Sequence, residues 1–284
     1  MEHQVWKQII ASLTSLSKRH ESARYRFSSS DIVRVILWAV LHDRPISWAT
    51  DRRNWPIYDR RRALPSNTTV SRRYRSSDVQ TLLKQLESLV LRSNGNSSLV
   101  SFIDGKSLPI GGCTKDKQAG YGRSASGMAK GYKLHALISL NGSLLSWRLS
   151  PMNTNERRMA RRLLRDSGHQ GYVLGDGNYD SNPLHAIASE VGQMQLISPR
   201  RKGTKLGHQR HEAGRLRSSR LLEDPFSEFG KQLFGLRSTI ERYFAHLTNW
   251  GGSLTTLPAW ARTHKRVHRW VQGKLIVNAC KRMT

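Results

Sequence analysis

Apolar residues at Ile32, Val35, Ile36, Ala39 and Val40 recur at the spacing of one helix face, behind a Ser30-Asp31 pair suited to capping it. Pro45 closes that helix, and a short one follows from about Ser47 to Arg53, ended by Trp55-Pro56. After Arg60-Arg61-Arg62 comes a turn at Pro65-Ser66, where Ser66 can cap a helix running through Asn67 to Arg75. Its outer face carries Ser, Thr and Arg, including Arg72, Arg73 and Arg75, the character of a helix laid in a DNA groove or of a solvated basic helix. Val79, Leu82, Leu83, Leu86 and Val90 then mark a helix that faces a core. Ser93 to Ser98 is polar and turn-rich, and it divides a helical region, residues 1–95, from a strand-bearing one, residues 96–284.

Beyond that boundary the period changes. Leu99-Val100-Ser101-Phe102-Ile103 reads as a buried strand that stops on Asp104-Gly105, with Gly105 leaving room for a close approach. Residues 111–131 are Gly-rich, basic and irregular. Tyr132–Ile138 and Ser143–Leu149 read as two strands joined by a hairpin at Asn141-Gly142. Asn153-Thr154-Asn155-Glu156 opens a helix that buries Met159, Leu163 and Leu164. A strand at Tyr172–Gly175 ends on Asp176, followed by a helix from about Pro183 to Val191 and a strand at Met194 to Ser198. A basic excursion occupies roughly residues 200–230, and an apolar stripe Leu233, Leu236, Ile240, Phe244, Leu247 marks one more helix. The order predicts an α/β fold, a mixed sheet with helices packed on it.

Composition sharpens this picture. The chain of 284 residues carries 47 Lys and Arg against 20 Asp and Glu, a formal charge of +27. So lopsided a balance calls for a polyanionic partner, nucleic acid first. A hydrophobic share of 37% excludes a disordered basic tail. The cysteines Cys113 and Cys280 form no CxxC pair, so neither a disulfide framework nor a cysteine-built zinc site follows, and a reduced intracellular setting is expected. No apolar run is long enough for a membrane span, and no signal-peptide pattern opens the sequence.

Asp176 repeats the logic of Asp104, closing an apolar strand and preceding a glycine. Asp180, in Asp180-Ser181-Asn182-Pro183, reads instead as a cap before a first-turn proline. Glu241 lies one turn beyond Arg237 at the edge of the last apolar stripe, either at the core boundary or as half of a surface ion pair. Asp104 alone has a turn-opener alternative. Together the three acids suggest all-oxygen ligation of two Mg2+ (or Mn2+) ions, which neutralise clustered carboxylates and suit phosphoryl transfer. His135 reads as a packed strand histidine.

Ile103-Asp104-Gly105, Leu174-Gly175-Asp176-Gly177-Asn178-Tyr179-Asp180-Ser181 and Arg237-x3-Glu241-Arg242-Tyr243-Phe244 resemble the three acidic motifs of bacterial insertion-sequence DDE transposases. The helix resembles the subgroup signature Tyr-x2-Arg-x3-Glu-x6-Lys, standing here as Phe234-x2-Arg237-x3-Glu241-x6-Thr248, and Gly131-Tyr132-Lys133-Leu134-His135 is also similar. The resemblance implies an RNase H-like catalytic domain behind an all-α, DNA-binding N-terminal domain. It implies Asp104, Asp176 and Glu241 as metal ligands, with Arg237, Lys106 and Lys133 on DNA. It further implies cleavage and joining at terminal inverted repeats and target DNA, a homodimer in a synaptic complex, and a bacterial, cytoplasmic, nucleoid-associated protein. Phe234 in place of Tyr and Thr248 in place of Lys remove a hydroxyl and a charge. They keep open a DNA-binding descendant that no longer cuts, and the fold alone keeps open an RNase H-like nuclease.

Overall fold

A computed structural model of the chain describes residues 2–17, 25–92, 98–111, 115–191, 193–201, 203, 206, 210–251 and 254–283. The linker expected at Ser93–Ser98 lies outside them except for Ser98, and Cys113 lies outside them altogether. The helices and strands run in the order α1 (Glu2–Ser17), α2 (Ser29–Leu41), α3 (Ile46–Ala49), α4 (Asn67–Arg73), α5 (Ser77–Arg92), β1 (Val100–Pro109), β2 (Gly120–Ser124), β3 (Gly127–Ser139) and β4 (Leu144–Pro151). There follow α6 (Glu156–Ser167), β5 (Gly171–Leu174), α7 (Asn182–Glu190), β6 (Met194–Ile197), α8 (Ala213–Glu223), α9 (Glu228–Gly235), α10 (Ser238–His246) and α11 (His264–Met283). Two compact units result, Met1–Ser93 with His246–Leu254 and Trp260–Thr284, and Asn94–Ala245 with Thr255–Ala259.

The first unit is helical. Ser28 caps α2, and Asp31 returns the bond to the Ser28 amide, so the capping box sits two residues earlier than the expected Ser30-Asp31 pair. Pro45 starts α3 rather than closing α2. Ser66 caps α4 through the Thr69 amide. Stacked and edge-on rings of Trp6, Trp38 and Trp55, with centroids 4.8 to 5.9 Å apart, form part of the core. The C-terminal helix α11 packs with this unit, whereas the boundary read from the sequence had left it with the strand-bearing region. The reason is its burial, continuous from Trp270 to Cys280, because a helix covered all round needs neighbours on several sides. α2 packs closely over Gly273, where a Cβ would lie 2.9 Å from Val40 Cγ2.

The second unit is built on one mixed sheet in the order β2-β3-β1-β5-β6, with β4 also on β3. β3 pairs antiparallel with β1 along one edge and serves β2 and then β4 along the other. β1, β5 and β6 are parallel. One cluster joins Ile103, Leu137, Leu163, Leu164, Val173, Tyr179 and Leu184, so α6 and α7 bury their apolar stripes on the sheet.

Four expectations change. β1 does not stop at Asp104 but continues to Pro109, because β3 supplies hydrogen-bonding partners along that whole length. The stretch read as irregular contains β2 and the start of β3, whose exposed, Gly-rich rungs carry little hydrophobic signal. The excursion contains α8, held along the sheet by reciprocal Ser198–Ser218 hydrogen bonds. The last apolar stripe is not one helix. Leu236 and Arg237 bond back three residues, to Leu233 and Phe234, in a tight turn after Gly235 that separates α9 from α10.

Candidate active site

The parallel pairing of β1 with β5 ends at Phe102 opposite Leu174. Each strand carries its aspartate two residues beyond that rung, which sets Asp104 and Asp176 level at the carboxyl end of the parallel strands, the customary place for chemistry in such sheets. The Asp176 carboxylate accepts the Asn178 amide at 2.9 Å and so orders the loop that follows. Its carbonyl accepts the Ser198 hydroxyl at 2.5 Å, tying that loop to the end of β6.

Asp104 accepts the Gly105 amide at 2.7 Å. Burial, reinforced by the charges of Asp176 and Glu156, pushes its carboxyl up to about 6, although the Gly105 amide and Arg237 pull the other way. A cation is needed here, and Arg237 supplies one. Its Nη2 lies 3.8 Å from Asp104 and its Nη1 3.8 Å from Glu241 on α10. Its Nε is buried without a hydrogen-bond partner. The Glu241 side chain is 64% exposed and meets the guanidinium. Among the described residues no three His, Cys, Asp or Glu side chains converge on one point. Asp104 and Asp176 are brought together, and Glu241 is linked to them through Arg237.

The space over Gly105 belongs to a side chain rather than to a ligand. A Cβ there would lie 2.9 Å from the Lys133 stem and 3.5 Å from His135 Nδ1. The Lys133 ammonium is paired with Glu156 at the start of α6. His135 meets the Ser150 hydroxyl at 2.9 Å, and burial lowers its ring to about 4, a neutral packed histidine. Lys106 is half-buried, and burial lowers its ammonium.

Two residues at the site carry no role in the sequence reading. Glu156 looks there like a helix-capping acid, yet its charge is felt at both Asp104 and Tyr179. Tyr179 is buried with its hydroxyl unpartnered, and burial together with the carboxylates of Asp104, Glu156 and Asp176 holds the phenol well above its usual range. Gly175 makes room for it, since a Cβ there would lie 2.9 Å from the Tyr179 ring and 3.1 Å from Ile103. The Asp-x-x-Tyr spacing is the signal that could have singled it out. Asp180 is committed elsewhere. Burial acts to raise its carboxyl, but both oxygens accept Arg215 N–H groups at 2.7 Å and the net displacement is downward.

In the helical unit α4 presents Asn67, Thr68, Ser71 and Arg72 to solvent, and the turn after it presents Arg75. Arg73 does not join them. It is buried, it donates to Asp78 at 2.6 Å and to the Phe27 carbonyl at 3.1 Å, and it lies over the Tyr25 ring. Arg73 is therefore a packing residue, and the expectation that it meets DNA is corrected.

A mixed sheet with parallel and antiparallel halves, helices packed on it and two acids just past the last parallel rung defines an RNase H-like transposase domain that follows a helical N-terminal region. Residues 95–271 match the transposase DDE domain, and the chain belongs to that family. A search of curated proteins finds no match. The membership makes this a transposase by class, with DNA as the implied partner, in a family that generally uses divalent metal ions. No helix among the described residues is long and apolar enough to cross a membrane.

Proposed function

We propose that the protein cuts and joins DNA at the ends of a bacterial insertion sequence, with Asp104, Asp176 and Glu241 as its metal-binding carboxylates. The observation that carries this reading is the level placement of Asp104 and Asp176 past the last parallel rung, with Arg237 linking Asp104 to Glu241. The residues fit a hard divalent cation. The donors are all oxygen, and burial beside a second carboxylate leaves Asp104 short of positive charge. Asp104 and Asp176 would hold Mg2+ (or Mn2+) with Glu241. Two such ions, when bound, stabilise charge on the attacking and leaving oxygens of a phosphodiester.

The chain's own groups do the rest. Arg237 is placed to take a DNA phosphate once it leaves the carboxylates, and Lys106 adds positive charge along β1. Lys133, already neutralised by Glu156, keeps that acid from adding fully to the repulsion at Asp104. The exposed face of α4 with Arg72, and Arg75 just after it, serve recognition of the terminal repeats. A homodimer in a synaptic complex and a cytoplasmic, nucleoid-associated setting complete the reading.

One observation favours a second reading, a transposase-derived DNA-binding protein that no longer cuts: Glu241 engages Arg237 and no three carboxylates converge among the described residues. Incubation with Mg2+ and a plasmid carrying the flanking inverted repeats, beside Asp104→Asn, separates the cases. Joining that requires Asp104 supports transposition, and cutting without joining supports a nuclease. Binding without Asp104-dependent chemistry in Mg2+ or Mn2+ supports the second reading.

A further inference from the structure

The helical unit contains a cleft of about 660 Å3, within the ~300–1,000 Å3 range of pockets that enclose a drug-sized molecule. One wall is α4 and the turn after it, through Asn67, Ser71 and Arg75. These are three of the positions that the sequence reading assigned to a groove-reading helix. The opposite wall is α11 with the segment before it, through Trp260, Lys265, Arg266 and Arg269. Arg44, beyond the end of α2, adds a fifth cation, and among the described residues no acidic side chain lines the cleft.

None of Arg44, Arg75, Lys265, Arg266 or Arg269 is paired with a carboxylate among the described residues. Positive charges gathered without counter-charges raise the local potential and ask for a polyanion. Aromatic rings stand on both walls. Trp260 remains 39% exposed and stands edge-on to Trp270, with ring centroids 6.0 Å apart. Arg269 lies over the Tyr74 ring at 4.6 Å, so its position is fixed by stacking and its charge is held at the cleft.

A polyanion alone would be served by a flat basic patch, as phosphate backbones of duplexes are. An exposed indole inside a cationic cleft offers something a duplex cannot use, since bases in a duplex already stack on each other. It suits a strand whose bases are free, for which aromatic stacking contributes about 1–3 kcal/mol per base.

We propose that this cleft binds an unpaired stretch of DNA, its phosphates on Arg44, Arg75, Lys265, Arg266 and Arg269 and a base stacked on Trp260. The proposal rests on DNA being the partner and adds a strand-selective site to that reading. It makes Asn67 and Ser71 of α4 one wall of a strand-binding cleft and leaves Arg72, outside that lining, to duplex recognition. An end that frays or is nicked before joining presents such a strand.

Fluorescence anisotropy of the full chain in EDTA, where no cleavage occurs, tests this with two probes, a labelled twelve-nucleotide polythymidine and a blunt twelve-base-pair duplex. The unmodified protein binds the single strand. Trp260→Ala weakens that binding about 5- to 100-fold and leaves the duplex within about twofold, while Trp260→Phe restores most of the loss. Arg266→Gln lowers the salt dependence of single-strand binding. Circular dichroism confirms that each variant is folded. Equal single-strand affinity for Trp260→Ala and the unmodified protein overturns the proposal, as does an equal loss on both probes. Binding of duplex without single strand overturns it and leaves the transposase reading intact, whereas binding of neither probe overturns both.

Discussion

Nη2 of Arg237 lies 3.8 Å from Oδ2 of Asp104, and its Nη1 lies as close to Glu241. The guanidinium thus occupies a place between carboxylates that have every electrostatic reason to repel. An arginine between acids lowers their repulsion, and it also competes with any other cation for them. Arg237→Gln removes the competitor. Mn2+ binding in the absence of DNA, followed by paramagnetic resonance, is expected to strengthen about 2- to 5-fold, the equivalent of a partly exposed ion pair. Weaker Mn2+ binding would show that Arg237 organises the carboxylates rather than opposing their loading.

The raised carboxyl of Asp104 makes stability depend on pH. In the unfolded chain an aspartate loses its proton near ~3.9, whereas in the folded protein burial and Asp176 move Asp104 to about 6. Between these values the folded state holds more protons, so stability falls as pH rises from about 4 to 6, by at most about 3 kcal/mol. Asp104→Asn lacks this dependence. Urea unfolding in EDTA should show the variant gaining on the unmodified protein through that window and levelling off above it. A constant difference between pH 4 and 7 would refute the burial argument.

Tyr179 carries a buried hydroxyl with no hydrogen-bond partner. An unsatisfied buried polar group costs about 1–3 kcal/mol, so its removal relieves that cost. Tyr179→Phe is expected to unfold at the same temperature or higher. A clear drop in melting temperature would mean that the hydroxyl has a partner in solution.

The close approach at Gly175 is steric. A Cβ there meets the Tyr179 ring at 2.9 Å and Ile103 at 3.1 Å. Gly175→Ala should cost about 1–3 kcal/mol in chemical unfolding. Gly235→Ala, where a Cβ meets nothing, should not destabilise the protein. Equal effects at the two positions would remove the packing explanation.

Arg72 and Arg73 are neighbours with opposite fates. Arg73→Ala leaves Asp78 without its guanidinium and should cost about 3 kcal/mol of stability. Arg72→Ala, on the exposed face of α4, should keep the melting temperature and weaken duplex binding with a shallower salt dependence. A stability loss in Arg72→Ala equal to that in Arg73→Ala would contradict the burial difference.

Much of the architecture is local and was therefore legible in the residues. Ser66 caps α4 and Asn155 caps α6 because short polar side chains satisfy the first free amides of a helix. Asn141-Gly142 turns the hairpin of β3 and β4 because Gly142 adopts φ +74° without a Cβ to obstruct it. The two strand-end aspartates were visible as acids closing apolar runs.

What required the fold is what depends on partners far along the chain. β1 runs past Asp104 because β3 pairs with it, and nothing within residues 99–106 records that. Arg72 and Arg73 look alike in sequence, and only the position of Asp78, Phe27 and Tyr25 separates them. Glu156 joins the surroundings of Asp104 because α6 starts beside the sheet, and Trp260 comes to face α4 because α11 packs into the helical unit. Residue types able to do chemistry on DNA, and the local elements that hold them, are written in the order of the amino acids. Tertiary structure decided which of them meet, because charge, burial and contact act through space between residues that the chain keeps far apart.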